Sequence, residues 1–400
     1  MKKIIFLALN FPEIENNSNI WSDLMVEFSH QGHDVLVLAP KNKDNEIGLR
    51  VEGGIKVLRI STLKLFNTGM INKGLANVIL PYQYKHALKK YKIDLDFDLI
   101  LMPTPPITLI KVVKWLKKKS KAKMYQILRD IFPQNAVDLK IMDPNGPIYS
   151  YFRKKELEMY HLSDYIGCMS NANINFVLKH NAHLDKSKLH LLPNWENGNS
   201  HLEIQDSKKI REQYGIENKF VVIFGGNIGK PQKMENIIEL VKSCSNIKDM
   251  VFIIIGNGTE KDKIKNLADQ YNLDNLILKD KIPRREYNEL LRIADIGLIS
   301  LNEDFTIPNF PSKVLSYFNL KKPVLASLDL STDFGHMLVE TNSGMWAEAG
   351  KTDLLKEKLM LLYNNRELRL QMGLNGYNYK KNHLLPIHAY STIIQQVKNK

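Results

Sequence analysis

The sequence predicts an α/β protein made of two doubly wound, Rossmann-like domains that face each other across a cleft. Two observations carry this expectation. Short apolar runs alternate with amphipathic helical stretches along most of the 400 residues, the pattern of a parallel sheet covered on both faces. The series stops near Asn194, passes a polar stretch and starts again at Phe220. The expected boundaries are residues 1–195 for the first domain, 196–216 for a linker and 217–375 for the second domain. Residues 376–400 are read as a terminal helix packing back on the first domain.

Composition fits that size. At 44% hydrophobic residues the chain can bury two cores. No stretch reaches the roughly 20 apolar residues of a membrane span. Residues 1–10 superficially resemble a signal peptide, but Phe11-Pro12-Glu13 interrupts a short apolar run, so they are read as the first buried strand. Cys168 and Cys244 fall in different expected domains, which excludes a disulfide framework and fits a reducing cytoplasm.

The elements follow in order. In the first half, residues 3–10 read as a strand, 19–31 as an amphipathic helix and 33–39 as a second strand. Further apolar runs lie at 57–60, 99–102, 124–128 and 165–170, and Leu189–Leu192 reads as a last strand. In the second half, strands are expected at 220–224, 251–255, 276–278, 296–300 and 324–327. Helices are expected at 234–243, 260–271, 285–293 and 313–318, and beyond Asp353 the pattern is helical to the end. In open α/β sheets ligands bind at the carboxyl ends of the strands, so the loops there are the places to look.

Charge is uneven. The net charge is +13, and residues 1–200 hold 28 Lys and Arg against 19 Asp and Glu, while residues 201–400 hold 28 against 24. Lys111–Lys123 contains seven lysines and no acid. Leu109, Val112, Val113 and Leu116 fall on one helical stripe, with Lys111, Lys114 and Lys118 facing away beside Trp115. Two readings stand: a helix for an anionic membrane surface, or a sheet-covering helix with a solvated lysine face. Nucleic acid is excluded as a partner, because no Arg-rich reading helix or aromatic-interleaved RNA-binding pattern occurs.

Three turns in the second half suit a diphosphate. The run 220–224 breaks into Gly225-Gly226-Asn227-Ile228-Gly229-Lys230, where glycines let backbone N–H groups approach a ligand and Lys230 adds a point charge. Pro308-Asn309-Phe310-Pro311-Ser312-Lys313 opens a second helix, with Ser312 as its expected N-cap. A lysine in a first helical turn opposes the helix dipole unless an anion lies near. Gly256-Asn257-Gly258 is a third turn at a strand's carboxyl end. In the first half, Arg129-Asp130 follow a buried strand; Asp130 is read either as positioning a hydroxyl or developing charge, or as a surface pair with Arg129. The loop at residues 13–19, with Asn16 and Asn17, is polar enough to touch an acceptor sugar.

These segments together resemble glycosyltransferase family 4, retaining enzymes of the GT-B fold, and within it the L-fucosamine-transferase-like branch of bacterial surface-polysaccharide assembly. The likeness rests on residues 128–138, 151–156, 164–170 and 192–195, then on Gly226–Lys230, Ile255–Gly258, Ala294–Gly297 and Pro311–Lys313. It implies a sugar nucleotide, UDP-linked, in the second domain, with its base near Gly256, Asn257 and Ile282-Pro283. The diphosphate would lie on Gly226, Asn227, Gly229 and Lys230 and near Lys313, with Asn309, Phe310, Pro311, Ser312 and Ser316 also on the donor side. Lys230, Lys313 and Asp130 are the expected catalytic residues, with no metal and no cofactor, and Arg129 joins Asn16 and Asn17 on the acceptor side. The expected acceptor is an undecaprenyl-diphosphate-linked or free saccharide, met by an enzyme peripheral to the cytoplasmic membrane face. Two departures stand out. Pro308 and Ser316 occupy the positions of a Glu-x7-Glu pair found in many relatives, and Arg129 stands where many have His. The rival readings are a UDP-sugar 2-epimerase of the same fold and a non-catalytic nucleotide-binding assembly factor.

Overall fold

The computed structural model describes residues 1–14, 18–41, 46–64, 69–198 and 207–398. It divides into two compact units, residues 1–197 with 385–400 and residues 198–384. The fold class is α/β, of GT-B type, each unit a Rossmann-like sheet with its own helices.

In the first unit the strands are β1 (Lys3–Leu7), β2 (Asp34–Pro40), β3 (Gly48–Glu52), β4 (Ile55–Ile60), β5 (Leu99–Thr104), β6 (Lys123–Leu128), β7 (Tyr165–Cys168) and β8 (Leu189–Leu191). Their order across the sheet is β3-β4-β2-β1-β5-β6-β7-β8, parallel except for the β3–β4 hairpin. The helices are α1 (Ile20–His30), α2 (Met70–Lys90), α3 (Ile110–Lys117), α4 (Gln134–Asp138), α5 (Pro147–Leu162) and α6 (Asn171–His180). Asn19 starts α1 through a capping box: its Oδ1 accepts from the Trp21 and Ser22 amides at 2.9 and 3.0 Å, and its own amide donates to Ser22 Oγ at 2.8 Å.

The second unit holds α7 (Ser207–Tyr214), β9 (Phe220–Gly225), α8 (Glu235–Ser243), β10 (Met250–Ile255), α9 (Lys261–Gln270), β11 (Leu276–Lys279), α10 (Arg284–Ile293) and β12 (Ile296–Ser300). It continues with α11 (Lys313–Asn319), β13 (Val324–Leu328), α12 (Phe334–Glu340), β14 (Gly344–Glu348), α13 (Thr352–Asn364) and α14 (Arg366–His383). The parallel order β11-β10-β9-β12-β13-β14 reverses between β9 and β12, the switch point where such sheets bind ligands. Strand periodicity sorts the two cores. Val221, Ile223, Val251 and Ile253 pack with Leu290, Leu291 and Tyr317, whereas Phe220, Val222, Phe252 and Ile254 pack with Ile237, Val241 and Leu359.

The final helix, α15 (Pro386–Lys398), sends Ala389, Ile393, Ile394 and Val397 into the core that holds Leu24, Met25 and Phe28 of α1. The expected boundaries shift accordingly. The return to the first unit begins at Leu385 rather than residue 376, because α14 carries on through His383 beside α11. The expected linker of residues 196–216 contains α7, whose Ile210 is buried in the second unit's core. Its Arg211 donates to the carbonyls of Lys219 and Ile293 at 2.9 and 2.8 Å. Two strands escaped the sequence pattern. In β3 the apolar Leu49 and Val51 are exposed on a sheet edge, and β14 begins on Gly344 and is short and only partly buried.

Candidate donor and acceptor sites

The second unit's site is built where β9 and β10 end. The Gly226 amide donates to the Ile255 carbonyl at 2.9 Å and the Ile228 amide to the Asn257 carbonyl at 3.0 Å, so the two glycine turns run as one layer. Only glycine allows this approach: a Cβ on Gly256 would overlap the Gly226 carbonyl oxygen, and one on Gly258 the Ile228 carbonyl oxygen. A Cβ on Gly226 would stand 3.3 Å from Lys313 Cε. The two motifs, some eighty residues apart in sequence, therefore meet. Lys313 is exposed, and its ammonium lies 5.6 Å from the centre of the Tyr287 ring, a cation–π support from α10.

The rest of the loop is fixed from the switch point. Lys230–Gln232 form a short 3₁₀ turn and Lys233 follows in the left-handed region at φ 42°, so the glycine turn does not open directly into α8. Buried Asn302, just beyond β12, donates its side-chain amide to the Lys230 carbonyl at 3.0 Å and its backbone amide to the Pro231 carbonyl at 2.9 Å. Lys233 is bound to Glu303 at 2.5 Å; that contact holds the Lys233 ammonium above its ordinary pKa and helps hold the Glu303 carboxyl below its own against burial. Lys230 is exposed and has no such carboxylate among the described residues. Asn227 donates to Gln232 at 3.0 Å, and Gly229 is buried.

The residues expected near the base lie close to one another. Asn257 Oδ1 accepts from the Lys281 amide at 3.1 Å, which brings the turn after β10 beside half-buried Ile282. On the other flank, Thr332 Oγ1 donates to the Asn309 carbonyl at 2.6 Å, and Phe310 packs edge-on against Phe334 at 5.3 Å. Pro311 and Ser316 are half-buried. Ser312 departs from expectation: it adopts helical dihedrals and its hydroxyl makes no capping bond, because the loop enters α11 already wound. With α11 only seven residues long, the charge at this junction comes from Lys313 itself.

The first unit places its charged pair differently. Arg129 and Asp130 are neighbours just after β6 and form no ion pair with each other. Arg129 turns inward: Nη1 donates to the Leu192 carbonyl at 3.0 Å, and the guanidinium carbon lies 4.6 Å from the Trp195 ring centre and 5.9 Å from that of Trp21. Burial pulls its pKa down to about 9, which leaves it charged at neutral pH. Asp130 is accessible yet crowded by protein; the crowding raises its carboxyl above the ordinary value, against the pull of Arg129. Glu13 and Ile14 are described, but Asn16 and Asn17 lie outside the described residues.

The lysine helix covers the sheet with its apolar stripe, as the second of the two readings expected. Leu109, Ile110, Val112, Val113 and Leu116 are fully buried against the sheet. On the outer face Lys114 pairs with Glu158, Lys117 with Asp164 at 2.7 Å, and Lys123 with Asp164 at 3.6 Å. Lys111 instead sits 5.1 Å from the ring of Tyr82 on α2 and Lys89 5.8 Å from that of Trp115. Burial, then the charges of Lys111, Lys89 and Lys118, lower the Lys85 pKa against Tyr82, which marks one crowded cationic patch. Leu75, Val78 and Tyr82 are exposed beside it along α2. Among the described residues no helix is long and apolar enough to cross a membrane, and no cluster of three or more His, Cys, Asp or Glu could hold a metal.

Sequence reasoning passed over Tyr287, Asn302, Trp21 and Trp195. Asn302 carried a signal, as the first polar residue after an apolar strand at the switch point. The aromatic residues carried none, because only the folded chain brings them to Lys313 and Arg129.

The family described as Glycosyl transferases group 1 matches residues 206–379. A probable glycosyltransferase WbjE of Pseudomonas aeruginosa is 24% identical over 281 residues, 69% of this chain and 68% of that protein. The putative colanic acid biosynthesis glycosyl transferase WcaI of Escherichia coli is 22% identical over 86% of this chain and 87% of that one. Among solved structures, HepE of Anabaena in complex with UDP and glucose superposes with a TM-score of 0.71 at 15% identity, covering 100% of both chains. Residues 206–379 are thus similar to glycosyl transferases group 1, within a chain of GT-B fold.

Proposed function

We propose that this chain is a retaining, metal-independent glycosyltransferase. It moves a (deoxy-amino)hexose from a UDP-sugar to a lipid-linked or saccharide acceptor during assembly of a capsule, O-antigen or exopolysaccharide. The observation that carries the reading is the contact of Lys313 with Gly226. It sets an exposed ammonium beside a backbone turn whose glycines admit close approach of a diphosphate. As the glycosidic bond opens, negative charge grows on the departing diphosphate; Lys313, Lys230 and the amides of Asn227 and Gly229 receive it. WbjE and WcaI support the class of reaction by name, and the UDP held by HepE supports the donor.

Asp130 serves the other substrate. Its exposed carboxylate, unclaimed by Arg129, is free to orient a sugar hydroxyl. In this reading the cationic patch on α2 and α3 meets the acceptor's membrane: Lys85, Lys89, Lys111 and Lys118 meet anionic headgroups while Leu75, Val78 and Tyr82 enter the interface. The carboxylates of a Glu-x7-Glu pair are absent at Pro308 and Ser316, so the sugar and ribose contacts fall to the Asn309-Phe310 backbone and Ser316.

The test is turnover of a UDP-sugar panel against membranes holding lipid-linked intermediates. Lys313→Ala and Lys230→Ala should each lower turnover about 10²–10³-fold with an unchanged circular dichroism spectrum. Lys233→Ala, whose ammonium is already committed to Glu303, should fall far less. Equal losses at all three lysines, or none, would sink the assignment.

A further inference from the structure

Two charged donors in the first unit have no acceptor. Arg129 spends Nη1 on the Leu192 carbonyl, whereas Nε and Nη2 are buried without a partner among the described residues. The guanidinium cannot easily turn to find one. Trp195, against which it lies, is 1% exposed and is itself fixed by an indole N–H donated to the Ile20 carbonyl at 2.7 Å. Asp130 does not close the gap, since it makes no hydrogen bond to either nitrogen. A buried donor left unmade costs about 1–3 kcal/mol, more when charged, and folded proteins leave few.

The geometry of the two orphans is informative. Nε–H and the Nη2–H beside it leave the same edge of the guanidinium, the edge that receives both oxygens of one carboxylate or phosphate in parallel. We propose that this edge of Arg129 binds an oxyanion carried by the acceptor, the phosphate of a polyprenyl-phosphate-linked sugar or the carboxylate of an acidic sugar. The word acceptor rests on the transferase reading; the anion site does not. Both nitrogens are covered, so entry requires neighbouring side chains to shift, and once inside the anion is held away from competing water.

The two indoles at the guanidinium supply the readout. The full-length protein, carrying Lys230→Ala and Lys313→Ala so that the second unit does not contribute, is titrated at constant ionic strength with sodium phosphate and separately with sodium acetate. Tryptophan fluorescence is followed, and Trp115 and Trp346 are replaced by Phe to isolate Trp21 and Trp195. The expected result is a saturable change, with phosphate for a lipid-phosphate acceptor or acetate for an acidic sugar. It should weaken at least tenfold in Arg129→Lys, which keeps the charge but loses the fork. An unchanged titration in Arg129→Lys overturns the proposal. So does the absence of any saturable response before that substitution is made, the outcome if a water molecule fills the edge; a misfolded variant therefore cannot protect the idea. Sugar transfer without an anion response sinks this inference alone, and an anion response without turnover on any UDP-sugar sinks the transferase reading alone.

Discussion

The carboxyl ends of the two sheets carry the same chemical ingredients in opposite arrangements. In the second unit the cations Lys230 and Lys313 are exposed and the surface beneath them is bare backbone, kept bare by Gly226 and Gly256. In the first unit the cation, Arg129, is half-buried with its guanidinium against two indoles and its Nε and Nη2 covered, and the accessible group is the carboxylate of Asp130. An exposed ammonium over glycine suits a large, highly charged ligand that must arrive and leave. A recessed guanidinium beside an exposed acid suits a substrate that presents one anionic group and one reactive hydroxyl. The difference teaches that charge count alone, +9 against +4 by halves, does not say where cations are exposed: the less basic half holds Lys230 and Lys313 beside its glycine turn.

The sharpest way to break this comparison is at Asp130. Asp130→Asn should lower turnover by about 10²-fold or more, and the wild-type rate should fall in acid as the raised carboxyl takes up its proton. The stability sign is opposite. A carboxyl raised on folding binds more protons in the folded state, so ionising it destabilises the fold as pH rises through that window. Asp130→Asn should therefore unfold at a slightly higher temperature at neutral pH. A variant that loses stability as well as activity would make Asp130 a structural residue.

Two glycine substitutions sharpen the contrast within the second unit. Gly256→Ala drives a methyl group into the Gly226 carbonyl, which cannot retreat; a cost of about 1–3 kcal/mol should lower the unit's melting temperature by several degrees. Gly226→Ala crowds the Lys313 methylene at 3.3 Å, the far end of a flexible chain, and meets the Phe224 ring at an ordinary contact distance of 3.7 Å. It should leave melting nearly unchanged and still lower turnover, because the ammonium is displaced. Matching behaviour of the two variants would remove Lys313 from the site.

The smallest effect belongs to the outer face of the first unit. Replacing Lys85, Lys89, Lys111 and Lys118 by Gln should weaken binding to anionic vesicles at low salt, each charge being worth about 1 kcal/mol near such a surface. Replacing Lys114, Lys117 and Lys123 should do less, since Glu158 and Asp164 already hold them. Equal effects of both sets would mean a diffuse field rather than a patch.

Much of this molecule is written in local pattern. Alternating apolar strands and 3.6-period helices announce two parallel sheets, since each element must bury its own apolar face whatever it packs against. The glycine turns after residues 225 and 255 and the lysine at 313 were legible for the same reason: backbone approach and helix starts are properties of a few consecutive residues. What stayed hidden depends on neighbours distant in sequence. The meeting of Lys313 with Gly226, the Asn302 bonds that hold the loop, the ion pairs that withdraw Lys114 and Lys117 from the lysine run, and the enclosure of Arg129 by Trp21 and Trp195 exist only once the strands take their places in the sheet. Periodicity dictates which face of an element is apolar; strand order alone dictates which side chains then share a site.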